Sequence, residues 1–250
     1  MDGLFCNYTL FFSWFQFTHV GPRLIPFVKT VIIYFVAWIP DEYPSLFAAL
    51  IKCLPILCLA LFVWLQGVSL EEKHDYQRRI FVGLIFSCIG DALLIWPDPH
   101  FVTAMISFAI AHVSYIRAFG FSQIRWPKAV PFYISLPVVC YWFYPGLQGI
   151  LIPGVFIYVA IILSMGWRAF ASVDIMENIW TWNKLCGVIG ATSFIVSDLV
   201  IGINKFVTPI SFSKPLIMVS YYLAQLFFAL SAVQNSNVLI KLRMSNKKTN

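Results

Sequence analysis

Long apolar stretches separated by short polar breaks leave this chain few ways to fold. The stretches cover residues 23–40, 45–67, 79–96, 100–119, 129–145, 148–168, 182–203 and 214–239. Most approach the roughly 20 residues that a helix needs to cross a bilayer. The breaks hold residues that stop apolar helices: Pro40 to Pro44, Glu71 to Arg79, Pro97 to Pro99, Arg125 to Lys128, Pro145 to Gly149, and Lys205 to Lys214. Several are so short that neighbouring helices must form antiparallel hairpins. In hydrocarbon, backbone polar groups must be satisfied within the segment, which selects helices. The alternating pattern of a membrane barrel is absent. With 60% hydrophobic and 11% charged residues, a soluble domain is excluded by surface-to-volume scaling, and a disordered chain by its need for polarity. The expected fold is all-α: a polytopic membrane protein of about eight transmembrane helices over residues 23–239.

The net charge of +6 marks a membrane side rather than a nucleic-acid partner. One set of loops carries Lys73, Arg78 and Arg79, then Arg117, Arg125 and Lys128, then Arg168, then Lys241, Arg243, Lys247 and Lys248. The opposite set carries only Lys205 and Lys214. The excess of basic residues places the first set, and both termini, in the cytoplasm. Arg168 reads as a boundary anchor. Residues 1–22 read as an interfacial or disordered segment, and 240–250 as a basic cytoplasmic tail. The six cysteines form no CxxC pair, and no HExxH or clustered His/Asp set is present, so neither a metal nor another cofactor is expected.

Polar motifs recur four helices apart. Ser87-Cys88-Ile89-Gly90-Asp91-Ala92-Leu93-Leu94 is echoed by Ser193-Phe194-Ile195-Val196-Ser197-Asp198-Leu199-Val200. In the following spans, Met105 to His112 is matched by Met218 to Gln225, with the same step from methionine to polar side chain. An even number of helices per half preserves orientation. The pattern therefore predicts two parallel four-helix repeats, residues 23–120 and 129–239, with a site near their interface. An aspartate at mid-span costs about 2.5–3.5 kcal/mol on insertion scales, so Asp91 and Asp198 call for a function or a partner. Both fall past mid-membrane, on the non-cytoplasmic side. Near that depth lie Lys52, Tyr221, Tyr222 and Gln225, with His112 near the centre of its span and Tyr115 one turn on.

These residues carry a resemblance. The chain resembles the YhhN-like, transmembrane protein 86 group over about residues 23–235. The shared features are Lys52-Cys53-Leu54-Pro55, Gly90-Asp91-Ala92-Leu93-Leu94, Ala111-His112 with Tyr115, Gly190-Ala191 before Ser197-Asp198, and Ser220-Tyr221-Tyr222 with Ala224-Gln225. Characterised members are lysoplasmalogenases. The resemblance implies eight spans and an intracellular membrane such as the endoplasmic reticulum. It also implies hydrolysis of the vinyl ether bond of lysoplasmalogens, giving a fatty aldehyde and glycerophosphoethanolamine or glycerophosphocholine.

That chemistry needs a proton donor for the β-carbon, a negative charge near the oxocarbenium ion, and a positioned water. Two carboxyls in a low-dielectric cavity suit it, because desolvation and mutual repulsion keep one protonated while the other stays ionised. Asp91 and Asp198 are the expected catalytic pair, with the acid and base roles unassigned. Lys52 is expected on the phosphate, Tyr221 or Gln225 on the water, and His112 in the proton network; Tyr115 and Tyr222 complete the substrate-binding set. The expected partners are a lysophospholipid, water and membrane lipids; a homo-oligomer stays open. Two other classes fit parts of the pattern. An ion- or proton-coupled carrier would use the same aspartates as its ion site. An intramembrane aspartyl protease fits less well, since Cys88 replaces the first glycine of Gly-x-Gly-Asp and Asp198 follows a serine.

Overall fold

A computed structural model describes residues 2–39, 44–68, 74–121, 124–173 and 182–233, with side chains from Val20 onward. Eight α-helices occupy these residues: α1 (Asp2–Ala37), α2 (Leu46–Leu65), α3 (Asp75–Leu93), α4 (Pro97–Phe119), α5 (Trp126–Phe143), α6 (Leu151–Ser172), α7 (Trp182–Phe206) and α8 (Ser213–Ser231). No strand occurs among them. Six helices are long and apolar enough to cross a membrane: α2, α4, α6, α7, α8 and the Val20–Ala37 part of α1. This is an integral membrane protein. α3 and α5 are not among them. α3 carries Asp75, Arg78, Arg79 and Asp91, and α5 carries Lys128 and three prolines.

Local chemistry sets several boundaries. Ser45 caps α2, its hydroxyl accepting from the Ala48 N–H at 3.1 Å, as N-cap serines do. α3 begins at Asp75 rather than at residue 79, because Asp75 pairs with Arg78 and Arg79 one turn along and the pairs neutralise the charges within the helix. α4 starts at Pro97 rather than at residue 100, since proline is tolerated in a first turn. α8 ends at Ser231, ahead of the expected residue 239, and the tail expected at 240–250 lies outside the described residues. Within the segment 1–22, expected as interfacial or disordered, the backbone from Asp2 is helical and continuous with the rest of α1, with Pro22 inside it.

Successive helices other than α4 and α5 pack against each other, α3 with α4 and α7 with α8 most extensively. Farther apart in sequence, α2 lies against α8, and α4 against α6. The largest buried cluster draws on every helix except α5. α2 shows how the membrane replaces a polar exterior. Ile56, Leu59 and Val63 are fully buried, while Leu57, Leu61 and Trp64 on the opposite side are apolar and exposed. A helix hydrophobic all round belongs in lipid.

Arg168 is not a boundary anchor. It is 1% exposed, its Nε donates to the Gly120 carbonyl at 2.8 Å, and its guanidinium stacks near Phe121 and Trp167. It ties α6 to the end of α4.

Candidate active site

Asp91 lies in the last turn of α3 and is 2% exposed. It follows Gly90, where a Cβ would come within 2.6 Å of the Phe108 ring. Glycine thus lets α4 approach α3 closely at this level. One Asp91 oxygen accepts from the Tyr221 hydroxyl at 2.6 Å. The other is 3.6 Å from the Lys52 ammonium. Pro55 in α2 has no N–H to reach back to the Ile51 carbonyl, which loosens this turn. Tyr222 then donates to the neighbouring Lys52 carbonyl at 2.9 Å. Adjacent tyrosines on α8 therefore reach different helices, one to α3 and one to α2, and lock α8 between them.

Asp198, on α7, sits in a different set. The Tyr158 hydroxyl of α6 donates to it in a short hydrogen bond. His112 Nε2 of α4 is 3.0 Å from that hydroxyl and 3.4 Å from the Asp198 carboxyl. His112 is fully buried and edge-on to Phe194, ring centroids 4.6 Å apart. The donors can be counted. With the Tyr158 hydrogen on Asp198, His112 Nε2 must carry a hydrogen. With a proton on Asp198 instead, the Tyr158 hydrogen can turn to His112. The three groups thus form one hydrogen-bonded chain, Asp198–Tyr158–His112. His112 Nδ1 has no partner among the described residues.

The remaining candidates form a third group. Tyr115 donates to Gln225 Oε1 at 2.9 Å and lies 3.4 Å from the Ser87 hydroxyl. All three are fully buried. This network is one turn below Asp91 and touches neither aspartate. Its close packing rests on Gly83, where a Cβ would lie 2.2 Å from the Tyr115 ring. Gly190 does the same for Phe228, at 2.7 Å. Edge-on rings of Phe108, Phe194 and Tyr221, with centroids 5.4 to 6.2 Å apart, separate the two aspartate sets.

Two adjoining cavities take the place of the single one expected. One, of about 480 Å³, has Lys52 in its wall and several polar side chains. The other, of about 260 Å³, is apolar apart from Ser135, Tyr158 and Asp198. They share Leu94, Phe101 and Ile201 as a common wall. Asp91 lines neither, lying behind Lys52. Among the described residues, no group of three or more His, Cys, Asp or Glu could hold a metal.

Tyr158 was not among the residues singled out from sequence, because a tyrosine in an aromatic-rich helix carries no signal by itself. The spacing does: Lys52 precedes Asp91 by 39 residues, and Tyr158 precedes Asp198 by 40. Each aspartate is held from two other helices, Asp91 from α2 and α8, Asp198 from α6 and α4. Lys52 and Tyr221 hold one; Tyr158 and His112 hold the other.

Comparison of the sequence with known proteins matches it to a family. The YhhN family profile covers residues 47–232. The chain is 46% identical to a lysoplasmalogenase TMEM86A of Bos taurus over 91% of this chain and 95% of the relative. It is 43% identical to the Homo sapiens TMEM86A lysoplasmalogenase, over 90% and 94% of the two chains. Against the Homo sapiens lysoplasmalogenase TMEM86B, identity is 35%, over 85% and 87%. No solved structure matches the chain. On the extent of the profile match and of these identities, the chain belongs to the YhhN family.

Proposed function

We propose that the protein is a membrane hydrolase that cleaves the vinyl ether bond of lysoplasmalogens, releasing a fatty aldehyde and a glycerophospho-alcohol. The observation that carries this reading is the unequal setting of two carboxyls, Asp91 buried against Lys52 and Asp198 partly exposed to an apolar cavity that adjoins a polar one. Asp198 faces the apolar cavity and shares its hydrogen bonds with Tyr158 and His112. Asp91 is paired with an ammonium. A vinyl ether takes its proton on the carbon remote from oxygen, which lies toward the hydrocarbon chain. The acid must therefore stand on the chain side, and Asp198 does.

The steps follow. Asp198 gives its proton to the chain-side carbon, and the double-bond electrons form the new C–H bond. Positive charge develops on the oxygen-bearing carbon and is stabilised by the Asp91 carboxylate, which lines neither cavity at rest and comes to face the substrate when Lys52 swings off it. Water adds there and loses a proton to Asp91. In the hemiacetal, the bond to the glycerol oxygen breaks as Asp91 returns that proton to the leaving oxygen. Asp198 takes the hydroxyl proton, and the aldehyde is released. Both aspartates end as they began. Burial strengthens each charge interaction relative to water, and the Tyr158 hydroxyl donates to the Asp198 carboxylate that forms as its proton leaves.

The reading includes the membrane arrangement: eight spans, two parallel four-helix repeats, both termini cytoplasmic, in the endoplasmic reticulum. α3 has 19 residues, about 28 Å at 1.5 Å per residue, and packs between α2 and α4. The pairing of α2 with α8, echoed by α4 with α6, supports the repeat. So do the matched glycine–ring contacts at Gly83 and Gly190.

The test uses purified protein with a lysoplasmalogen and its saturated alkyl-ether analogue. Aldehyde is expected from the first alone, and Asp91→Asn and Asp198→Asn should each abolish it while the protein still inserts. Aldehyde from neither lipid, with substrate-dependent ion flux in proteoliposomes, would replace the hydrolase with a coupled carrier.

A further inference from the structure

The polar cavity lies at the end of the bundle where α1, α3 and α7 finish and α2, α4 and α8 begin. Its deepest cation, Lys52, was expected to hold a phosphate, yet it is engaged with Asp91 and its side chain is 13% exposed. Nearer the mouth, Lys205 and Lys214 line the same cavity, with Asn204 and Ser213. These are the two lysines that the sequence places on the non-cytoplasmic side, where membrane proteins are poor in basic residues. Each ammonium is fixed at the cavity wall. Lys205 Nζ sits 4.4 Å from the Phe101 ring centroid. Lys214 Nζ donates to the Ile39 carbonyl at 2.6 Å and lies 5.2 Å from the Trp38 ring.

The backbone around this mouth is strained. Among the described residues, the non-glycine positions with positive φ are Trp38 (36°) and Phe212 (63°). They flank Ile39 on one side and Ser213 and Lys214 on the other. Such conformations persist where a site's geometry requires them. α8 also starts here, so the positive end of its dipole adds to the two lysines. The apolar cavity begins across the shared wall of Leu94, Phe101 and Ile201. Together these features fit an amphiphile with one chain and an anionic head.

We infer that Lys205 and Lys214 form an anion subsite that takes the phosphate of a lysophospholipid head group at the non-cytoplasmic mouth. The inference rests on the hydrolase reading and adds a direction: the head group enters, and the water-soluble product leaves, at this end. Lysine binds phosphate as a point charge, so the subsite accepts ethanolamine and choline phosphodiesters alike.

The test compares kcat/KM for a lysoplasmalogen with that for a 1-alkenylglycerol lacking phosphate, in neutral detergent micelles. In the double variant K205Q/K214Q, the ratio is expected to fall about tenfold, the scale of a charge-assisted contact. K205R/K214R should restore it. An equal fall for both substrates, or an unchanged ratio, overturns the subsite. Binding of a non-hydrolysable alkyl-ether lysophosphatidylcholine against an alkylglycerol, followed by tryptophan fluorescence, reads the subsite without turnover. If the wild type releases no aldehyde, the hydrolase reading fails, and this binding ratio still decides the subsite. Inorganic phosphate should compete only weakly; displacement of the lipid by micromolar phosphate would make free phosphate the ligand and overturn the lipid assignment.

Discussion

Replacing Tyr158 by Phe isolates the part played by one hydroxyl. The ring stays, and with it the edge-on contact to His112, centroids 5.4 Å apart. What disappears is the donor to Asp198 and the polar atom 3.0 Å from His112 Nε2. A hydrogen bond to a charged group contributes about 1.5–3 kcal/mol. At about 1.4 kcal/mol per factor of ten, the variant should lose roughly 10- to 150-fold in kcat for aldehyde release. Because His112 Nε2 is already 3.4 Å from the carboxyl, it can tighten onto Asp198, which puts the loss toward the lower end. The assay is initial-rate aldehyde formation from purified protein, with thermal unfolding as the folding control. If Tyr158, His112 and Asp198 act as one relay, adding Tyr158→Phe to His112→Asn should cost little more than His112→Asn alone. Full activity in Tyr158→Phe, or a double variant whose losses simply multiply, would refute the relay.

Three further outcomes follow from the packing. Lys52→Met leaves Asp91 buried without its cation and should destabilise the protein by about 3–5 kcal/mol; the double variant Lys52→Met/Asp91→Asn should regain thermal stability in a melting experiment but not activity. Gly83→Ala and Gly190→Ala place a methyl against Tyr115 and Phe228 and should each cost about 1–3 kcal/mol, measured by denaturation in detergent, with Gly83 the worse because its contact is shorter. Tyr222→Phe removes one bond to a backbone carbonyl, about 0.5–1.5 kcal/mol, and should lower Tm by a few degrees while turnover stays within about threefold.

The helices were legible because lipid imposes a simple rule, apolar length between polar breaks. Proline marked a break well at Pro44 but misled at Pro97, which opens α4 rather than preceding it. The charges at Asp75, Arg78 and Arg79 read as loop because their pairing across one helical turn cannot be seen in composition. The polar residues were legible as a set, since each stands out against an apolar helix. Their grouping was not. Tyr221 belongs with Asp91, and His112 with Asp198, only once helices far apart in sequence are brought together. Tyr158 was hidden among other aromatics until its hydroxyl met a carboxyl. Lys205 and Lys214 read as ordinary loop residues because a cavity mouth is made by four chain segments at once.

Under the proposed mechanism, the exchange of helices between the two proposed halves bears on how acid and base differ. In the proposed repeat, neither half furnishes both contacts to its own aspartate. A lone half would have to pair with a second copy, and such a twin would present two identical carboxyls with identical neighbours. Joined in one chain, the halves are released from that equality. One helix can offer a lysine where its counterpart offers a tyrosine, and another a tyrosine where its counterpart offers a histidine. The connection between α4 and α5 is thus more than a tether: continuity of the chain is what permits two equivalent acids to take up opposite duties.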